Sequence, residues 1–234
     1  TGCICCPHDE LSERWGEGDL SLYLYREKIV PHLDLFELVY LQGWGEPMLH
    51  PNLWEMLNMA QQKGCRTGFT TNGTWLQEEQ NHKLVDMGVD MISVSFAGTA
   101  APVHQALRTN SKFADLCRNF ESLANLKKQT GSARPWLELH FLMTRANLDE
   151  FPALVELAAS LGADGLRDRE VAPDEVGAGG QPPDLGPVRP ARSPLRPCLR
   201  LRLQVVRPDL DERRVDGAVE HAGALRQVAV SEDP

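Results

Sequence analysis

The chain has 234 residues, 24 basic against 33 acidic side chains, a formal charge of −9 and an apolar fraction of 42%. That length and apolar content suit one domain with a sizeable core, while a mean hydropathy of −0.33 and the lack of any apolar run of about 18 residues exclude a membrane-spanning helix. The acidic balance, with pI ≈ 5.3, argues against a grip on nucleic acid or anionic membrane as the main activity, leaving peptide, protein and small-molecule substrates open.

The chain opens at Thr1 directly on TGCICCP, where Cys3, Cys5 and Cys6 crowd together. Clustered thiols suggest metal rather than a spread disulfide framework, and no basic and apolar leader precedes them, so a reducing, cytoplasmic setting is expected. Cys3 and Cys6 form a C-x-x-C, whose two thiolates converge on one metal or cluster edge. Three readings stay open at this point: an iron-sulfur motif, a thiol-disulfide oxidoreductase, and a non-catalytic metal-binding fragment. A zinc site expects a second Cys or His pair, yet Cys65 and Cys117 are isolated and are expected to be buried thiols.

From about residue 37 to 165, short apolar runs alternate with amphipathic stretches, the rhythm of β/α units around a parallel sheet. Strands are predicted at 37–42, 65–71, 91–96 and 136–143, each bounded by Gly, Pro, Asn or Thr. Helices are predicted at 20–30, 53–63 and 77–87. Two more are read from apolar faces, one formed by Phe113, Leu116, Cys117, Phe120, Leu123 and Ala124, the other by Phe151, Leu154, Val155, Ala158 and Leu161. Right-handed crossovers curl such units toward a barrel or a doubly wound sheet, with chemistry at the carboxyl ends of the strands.

Three strand ends carry small polar groups. Gly43-Trp44-Gly45-Glu46-Pro47 follows ELVYLQ, where glycines admit a ligand to the backbone and a carboxylate can receive an ammonium group. Thr70-Thr71-Asn72-Gly73-Thr74 follows the second strand, although Asn-Gly is also an ordinary turn signal. Ser93 and Ser95 lie within MISVSFAG, and Ser95 faces opposite to Val94 and Phe96. Beyond Gly165 the composition shifts: no Lys, Ile, Met, Phe, Trp, Tyr, Asn or Thr remains. Residues 1–165 are therefore expected to form the core, and 166–234 a Pro/Arg/Gly-rich tail that is disordered or the product of a shifted reading frame.

The segments TGCICCP, LQGWGEPMLHP, GFTTNGTWL, ISVSFAG, HQALRTNSKF and LMTRANLDEFPALVELAASLGAD together resemble the radical S-adenosylmethionine (SAM) enzymes, in particular their maturase-like, SPASM-type members. The resemblance implies a partial (β/α)6 TIM-like barrel, here without its first strand. It implies a [4Fe-4S] cluster held by C-x-x-x-C-x-x-C, with Cys3 and Cys6 as the second and third ligands and the first expected two residues ahead of Thr1. It further implies that Gly43, Gly45, Glu46 and Pro47 receive the methionyl part of SAM, that Asn72 and Ser95 line its pocket, and that Arg108, with Arg145, is a candidate for its carboxylate or for substrate. The implied activity is reductive cleavage of SAM to a 5′-deoxyadenosyl radical that modifies a peptide, protein or cofactor precursor, with a ferredoxin or flavodoxin as electron donor.

Overall fold

The computed structural model describes residues 2–3, 18–43, 45–144, 147–170, 202–206 and 226–227. In chain order its strands are β1 (Gly2–Cys3), β2 (Leu38–Gln42), β3 (Arg66–Thr71), β4 (Met91–Phe96), β5 (Arg108–Thr109), β6 (Trp136–Met143), β7 (Gly165–Glu170), β8 (Arg202–Val206) and β9 (Arg226–Gln227). Its α-helices are α1 (Leu22–Leu24), α2 (Leu53–Gln62), α3 (Glu78–Asp86), α4 (Ala101–Leu107), α5 (Phe113–Thr130) and α6 (Phe151–Leu161). The chain forms two compact units, 18–69 with 199–234 and 1–17 with 70–198, so that the division falls inside β3.

In the first unit, β2 and β3 pair in parallel from Leu38 opposite Arg66 to Leu41 opposite Phe69, and β8 adds antiparallel to β2. Between the two parallel strands runs α2, whose Leu53, Met56, Leu57 and Ala60 recur at helical spacing and are all fully buried. The helical stretch before β2 is longer than its sequence predicts. Ser21 starts it, its Oγ accepting the Leu24 N–H at 3.1 Å; the turn then widens over Tyr25–Ile29 and tightens into a 3-10 turn over Val30–Leu35. Pro31 lacks an N–H and cannot continue the α-helical ladder, but a 3-10 turn accepts it near its start, so the segment runs on to Leu35. Tyr25 anchors this stretch by donating its hydroxyl to the Met56 carbonyl at 3.1 Å.

In the second unit, β4, β6 and β7 pair in parallel, Met91 opposite Trp136 through Phe96 opposite Phe141, and Glu138 opposite Gly165 through Met143 opposite Glu170. The pleat sorts the side chains. Ile92, Val94, Phe96, Leu137, Leu139 and Phe141 share one face and are fully buried; Phe96 meets Phe113 and Phe120 edge-on at 6.3 and 6.0 Å, which places α5 on that face. Burying each of these side chains contributes roughly 1.5–3 kcal/mol. Both long helices end on a left-handed glycine, Gly131 (φ 66°) after α5 and Gly162 (φ 75°) after α6. Lys127 reaches from α5 to the Asp164 carboxylate, which also accepts the Leu137 N–H at 2.7 Å and so ties the starts of β6 and β7 together.

The architecture is α/β, built from parallel β/α repeats of the kind that make a partial TIM-like barrel. β7 spans the expected core boundary at Gly165. Its sequence, GLRDRE, offers almost no apolar residue, so hydrophobic periodicity does not reveal it, and its pairing with β6 rests on the backbone ladder. α4, a seven-residue helix with Pro102 in its first turn, is likewise too short to show an apolar period. Most of the tail, residues 171–201, 207–225 and 228–234, lies outside the described residues.

Candidate functional site

The residues singled out by sequence sit at the carboxyl ends of β2, β3 and β4 and at the end of α4. In the first unit, β2 ends at Gln42 and leads through Gly43 and Gly45 to a 3-10 turn, Pro47–Leu49. Glu46 caps this turn: its Oε1 accepts the Met48 N–H at 3.2 Å, while Pro47 needs no donor partner at its first position and is buried. The carboxylate is thus held at the strand end rather than free to swing. His50 closes the segment, its Nδ1 accepting the Asn52 N–H at 3.1 Å, so that Nε2 carries the proton and donates to the Leu20 carbonyl at 3.0 Å.

In the second unit, the turn after β3 is fixed by its own side chains. Thr71 Oγ1 accepts the Gly73 N–H at 3.1 Å, and Asn72 Oδ1 accepts the Thr74 N–H at 2.8 Å. Gly73 has φ 76°, and a Cβ there would collide with Leu116 Cδ1 and lie 2.9 Å from Val94 Cγ1. Only glycine lets this turn press against the helix-facing side of β4. Ser95 is 8% exposed on the opposite, polar face, in register with His140.

The loop after β4 is held by two residues that sequence reasoning did not select. Asn147, 1% exposed, accepts the Thr144 N–H at 2.6 Å and donates through Nδ2 to the carbonyls of Ala97 (3.0 Å) and Leu142 (2.9 Å), joining the ends of β4 and β6. His104 on α4 accepts the Ala97 N–H through Nδ1 at 3.3 Å, and its Nε2 lies 2.9 Å from Ser111 Oγ. Burial, assisted by the Arg108 charge, lowers the His104 pKa to about 4, so it is a neutral clamp at physiological pH. A T-x-x-N spacing at Thr144 and Asn147 is the only sequence signal for the first; a lone helical histidine gives none for the second.

Arg108 ends α4 and enters β5, which pairs antiparallel with β1 so that Cys3 stands opposite Arg108 along the backbone. Among the described residues Arg108 Nε is buried without a hydrogen-bond partner, an unusual state for a guanidinium donor. Cys5, Cys6, Trp44 and Arg145 lie outside the described residues. The remaining described thiols are unsuited to ligation or exchange, which need thiolate. Burial and the neighbouring Asp34 raise the Cys65 pKa, and its Sγ lies 3.1 Å from the Leu33 carbonyl. Cys117, expected to be buried, is only half-buried, and partial burial and Glu121 push its pKa up to about 11. Among the described residues, no three His, Cys, Asp or Glu side chains gather into a metal site, and no helix is long and apolar enough to cross a membrane.

The family profile of the Radical SAM superfamily matches residues 2–158, beginning at the cysteine motif and running through the ends of β2, β3, β4 and β6. The chain belongs to this superfamily and is of an enzyme type. It is 26% identical over 169 residues to a tungsten-containing aldehyde ferredoxin oxidoreductase cofactor-modifying protein of Pyrococcus furiosus, a match covering 70% of this chain and 46% of the relative. It is 28% identical over 151 residues to the mycofactocin maturase MftC of Mycolicibacterium smegmatis, covering 64% and 37%. The chain therefore spans less than half the length of these relatives. Among solved structures, Streptococcus suis SuiB bound to the precursor peptide SuiA aligns at TM-score 0.45 and 12% identity over 54% of this chain and 27% of that one.

In the second unit, Arg108 Nε has no partner among the described residues, a gap that a carboxylate acceptor fits; in the first, taken by itself, the capped Glu46 offers a fixed anion at the end of β2.

Proposed function

We propose that the chain is the core of a radical SAM enzyme that uses a [4Fe-4S] cluster to modify a peptide, protein or cofactor precursor. Cys3 and Cys6 hold the cluster together with a third cysteine, and Gly43, Gly45, Glu46, Pro47, Asn72, Ser95 and Arg108 bind SAM. When bound, cluster and SAM together supply a one-electron reduction and a 5′-deoxyadenosyl radical able to abstract a substrate hydrogen. The protein's own part is orientation. Glu46 receives the methionyl ammonium while its cap to Met48 keeps the carboxylate at the strand end. Arg108 takes the methionyl carboxylate beside the cluster loop, satisfying its buried Nε. The Asn72 turn and the loop clamped by Asn147 and His104 hold pocket walls still, which limits the reorganisation and water entry that a radical reaction must avoid. An electron donor of the ferredoxin or flavodoxin kind completes the system.

The observation that supports this reading is the backbone pairing of Cys3 with Arg108, a residue whose Nε is buried with no hydrogen-bond partner among the described residues. The names of the relatives, a cofactor-modifying protein in one case and a mycofactocin maturase in the other, support the substrate class. Calorimetric titration of SAM into the anaerobically reconstituted protein tests it. Arg108→Ala and Glu46→Gln should each weaken binding by about tenfold or more, the loss expected for a charge-assisted hydrogen bond. Unchanged affinity in both variants contradicts the assignment.

A further inference from the structure

The polar face of the β4–β6–β7 ladder carries a charged cluster with no part in the reading above. Ser93, in register with Glu138, donates its hydroxyl to Glu138 Oε1 at 2.5 Å, and Arg167 Nε lies 2.9 Å from the same oxygen. The Glu138 side chain is only 6% exposed, whereas 48% of the Arg167 side chain is open. Pleat and register put Ser93, Ser95, Glu138, His140 and Arg167 on the face turned away from α5.

A buried ion pair is poor evidence of a stabilising role, because desolvation consumes much of its attraction and an apolar pair serves at least as well. The asymmetry of this one is informative. Glu138 is locked by two donors and cannot turn outward, so it fixes Arg167 by the nitrogen nearest the chain. Four of the five guanidinium N–H donors stay outside that contact, on a side chain half open to its surroundings. A guanidinium anchored at one edge is a preorganised fork for a planar oxyanion. Because Glu138 already offsets its single positive charge, a monoanion is favoured over a dianion.

We propose that Arg167, aimed by Glu138 and Ser93, is the docking point for a carboxylate of the substrate. Resting on the radical SAM reading, this narrows the substrate class to molecules presenting a carboxylate, such as a peptide terminus or an acidic side chain. Arg167 is a specificity-determining residue, and Glu138 and Ser93 are positioning residues.

The test needs neither cluster nor SAM, so its outcome is separable from that of the parent reading, which SAM titration decides. The Arg167 Nε–Hε signal of 15N-labelled protein, assigned by its disappearance in Arg167→Lys, is followed during titration with N-acetylglycine, N-acetylglycinamide and inorganic phosphate. The expected result is a saturable shift with N-acetylglycine and none with the neutral amide. Phosphate should bind more weakly than N-acetylglycine, and calorimetry should give Arg167→Gln an affinity for N-acetylglycine lower by about tenfold or more. Arg167→Lys, which keeps the charge without the fork, should fall between and shows that the loss in Arg167→Gln is not one of folding. No shift with N-acetylglycine, an equal response to the amide, tighter binding of phosphate, or wild-type affinity in Arg167→Gln each overturns the proposal.

Discussion

Replacing Asn147 by Asp exchanges one NH2 group for an oxygen and leaves the shape of the side chain intact, so its effect isolates the hydrogen bonds that join β4 to β6. In the native protein Nδ2 donates to the Ala97 and Leu142 carbonyls at 3.0 and 2.9 Å, within a residue 1% exposed. The carboxylate turns both contacts from donor–acceptor into oxygen–oxygen repulsion and takes the Nδ2 donor from the buried Ala97 contact and the part-buried Leu142 contact. At roughly 1–3 kcal/mol for each disrupted contact, the loss should total about 2–6 kcal/mol. With a urea dependence of about 2 kcal/mol per molar, the unfolding midpoint should fall by about 1–3 M. Burial and the facing carbonyls raise the pKa of the introduced Asp above its unfolded value of about 3.9. A raised acid binds its proton more tightly in the folded state, so the deficit is smallest below the unfolded value and is complete once pH exceeds the folded one. Urea titrations of both proteins at pH about 4 and pH about 7 measure this directly. A midpoint at neutral pH indistinguishable from wild type refutes the view that Asn147 staples the two strand ends.

Gly73→Ala should destabilise by about 2–4 kcal/mol, since its Cβ meets Leu116 and Val94 in a left-handed turn, and thermal unfolding reads the loss. His104 should titrate by NMR with a midpoint of about 4. Its folded value lies below the unfolded 6.5, so its contribution is fully present above pH about 6.5 and is lost as pH falls toward about 4. Tyr25→Phe removes the donor to the buried Met56 carbonyl and should cost about 1–2 kcal/mol in chemical denaturation.

The fold was legible where burial imposes a period. MISVSF and WLELHFLM place apolar side chains on one face and polar ones on the other, and the alternation that set Ser95 apart from Val94 and Phe96 holds in the ladder. The same alternation sets Glu138 and His140 apart within WLELHFLM, a signal present in the sequence but masked there by the apolar residues around it. β7 escaped because four consecutive charged residues in GLRDRE hide any apolar alternation, and one of them, Arg167, meets its partner Glu138 only across the sheet. The strand-end motifs announced Glu46 and Asn72 as candidates and the family resemblance added Arg108, yet a sequence cannot tell that Glu46 and Asn72 also cap their own turns, nor that Arg108, paired with Cys3 along the backbone, has a buried Nε. Those are consequences of backbone geometry formed only on folding.

The central claim is that Cys3 and Cys6 hold a cluster whose bound SAM is cleaved reductively. Its most direct measurement is 5′-deoxyadenosine, quantified by chromatography after anaerobic reconstitution with iron and sulfide and reduction by dithionite in the presence of SAM. The protein used carries Cys-Xaa ahead of Thr1, completing C-x-x-x-C-x-x-C, and is compared with its Cys6→Ala variant. The account predicts 5′-deoxyadenosine from the first and none above background from the second; equal formation in both, or none in either despite a bound four-iron cluster, contradicts it.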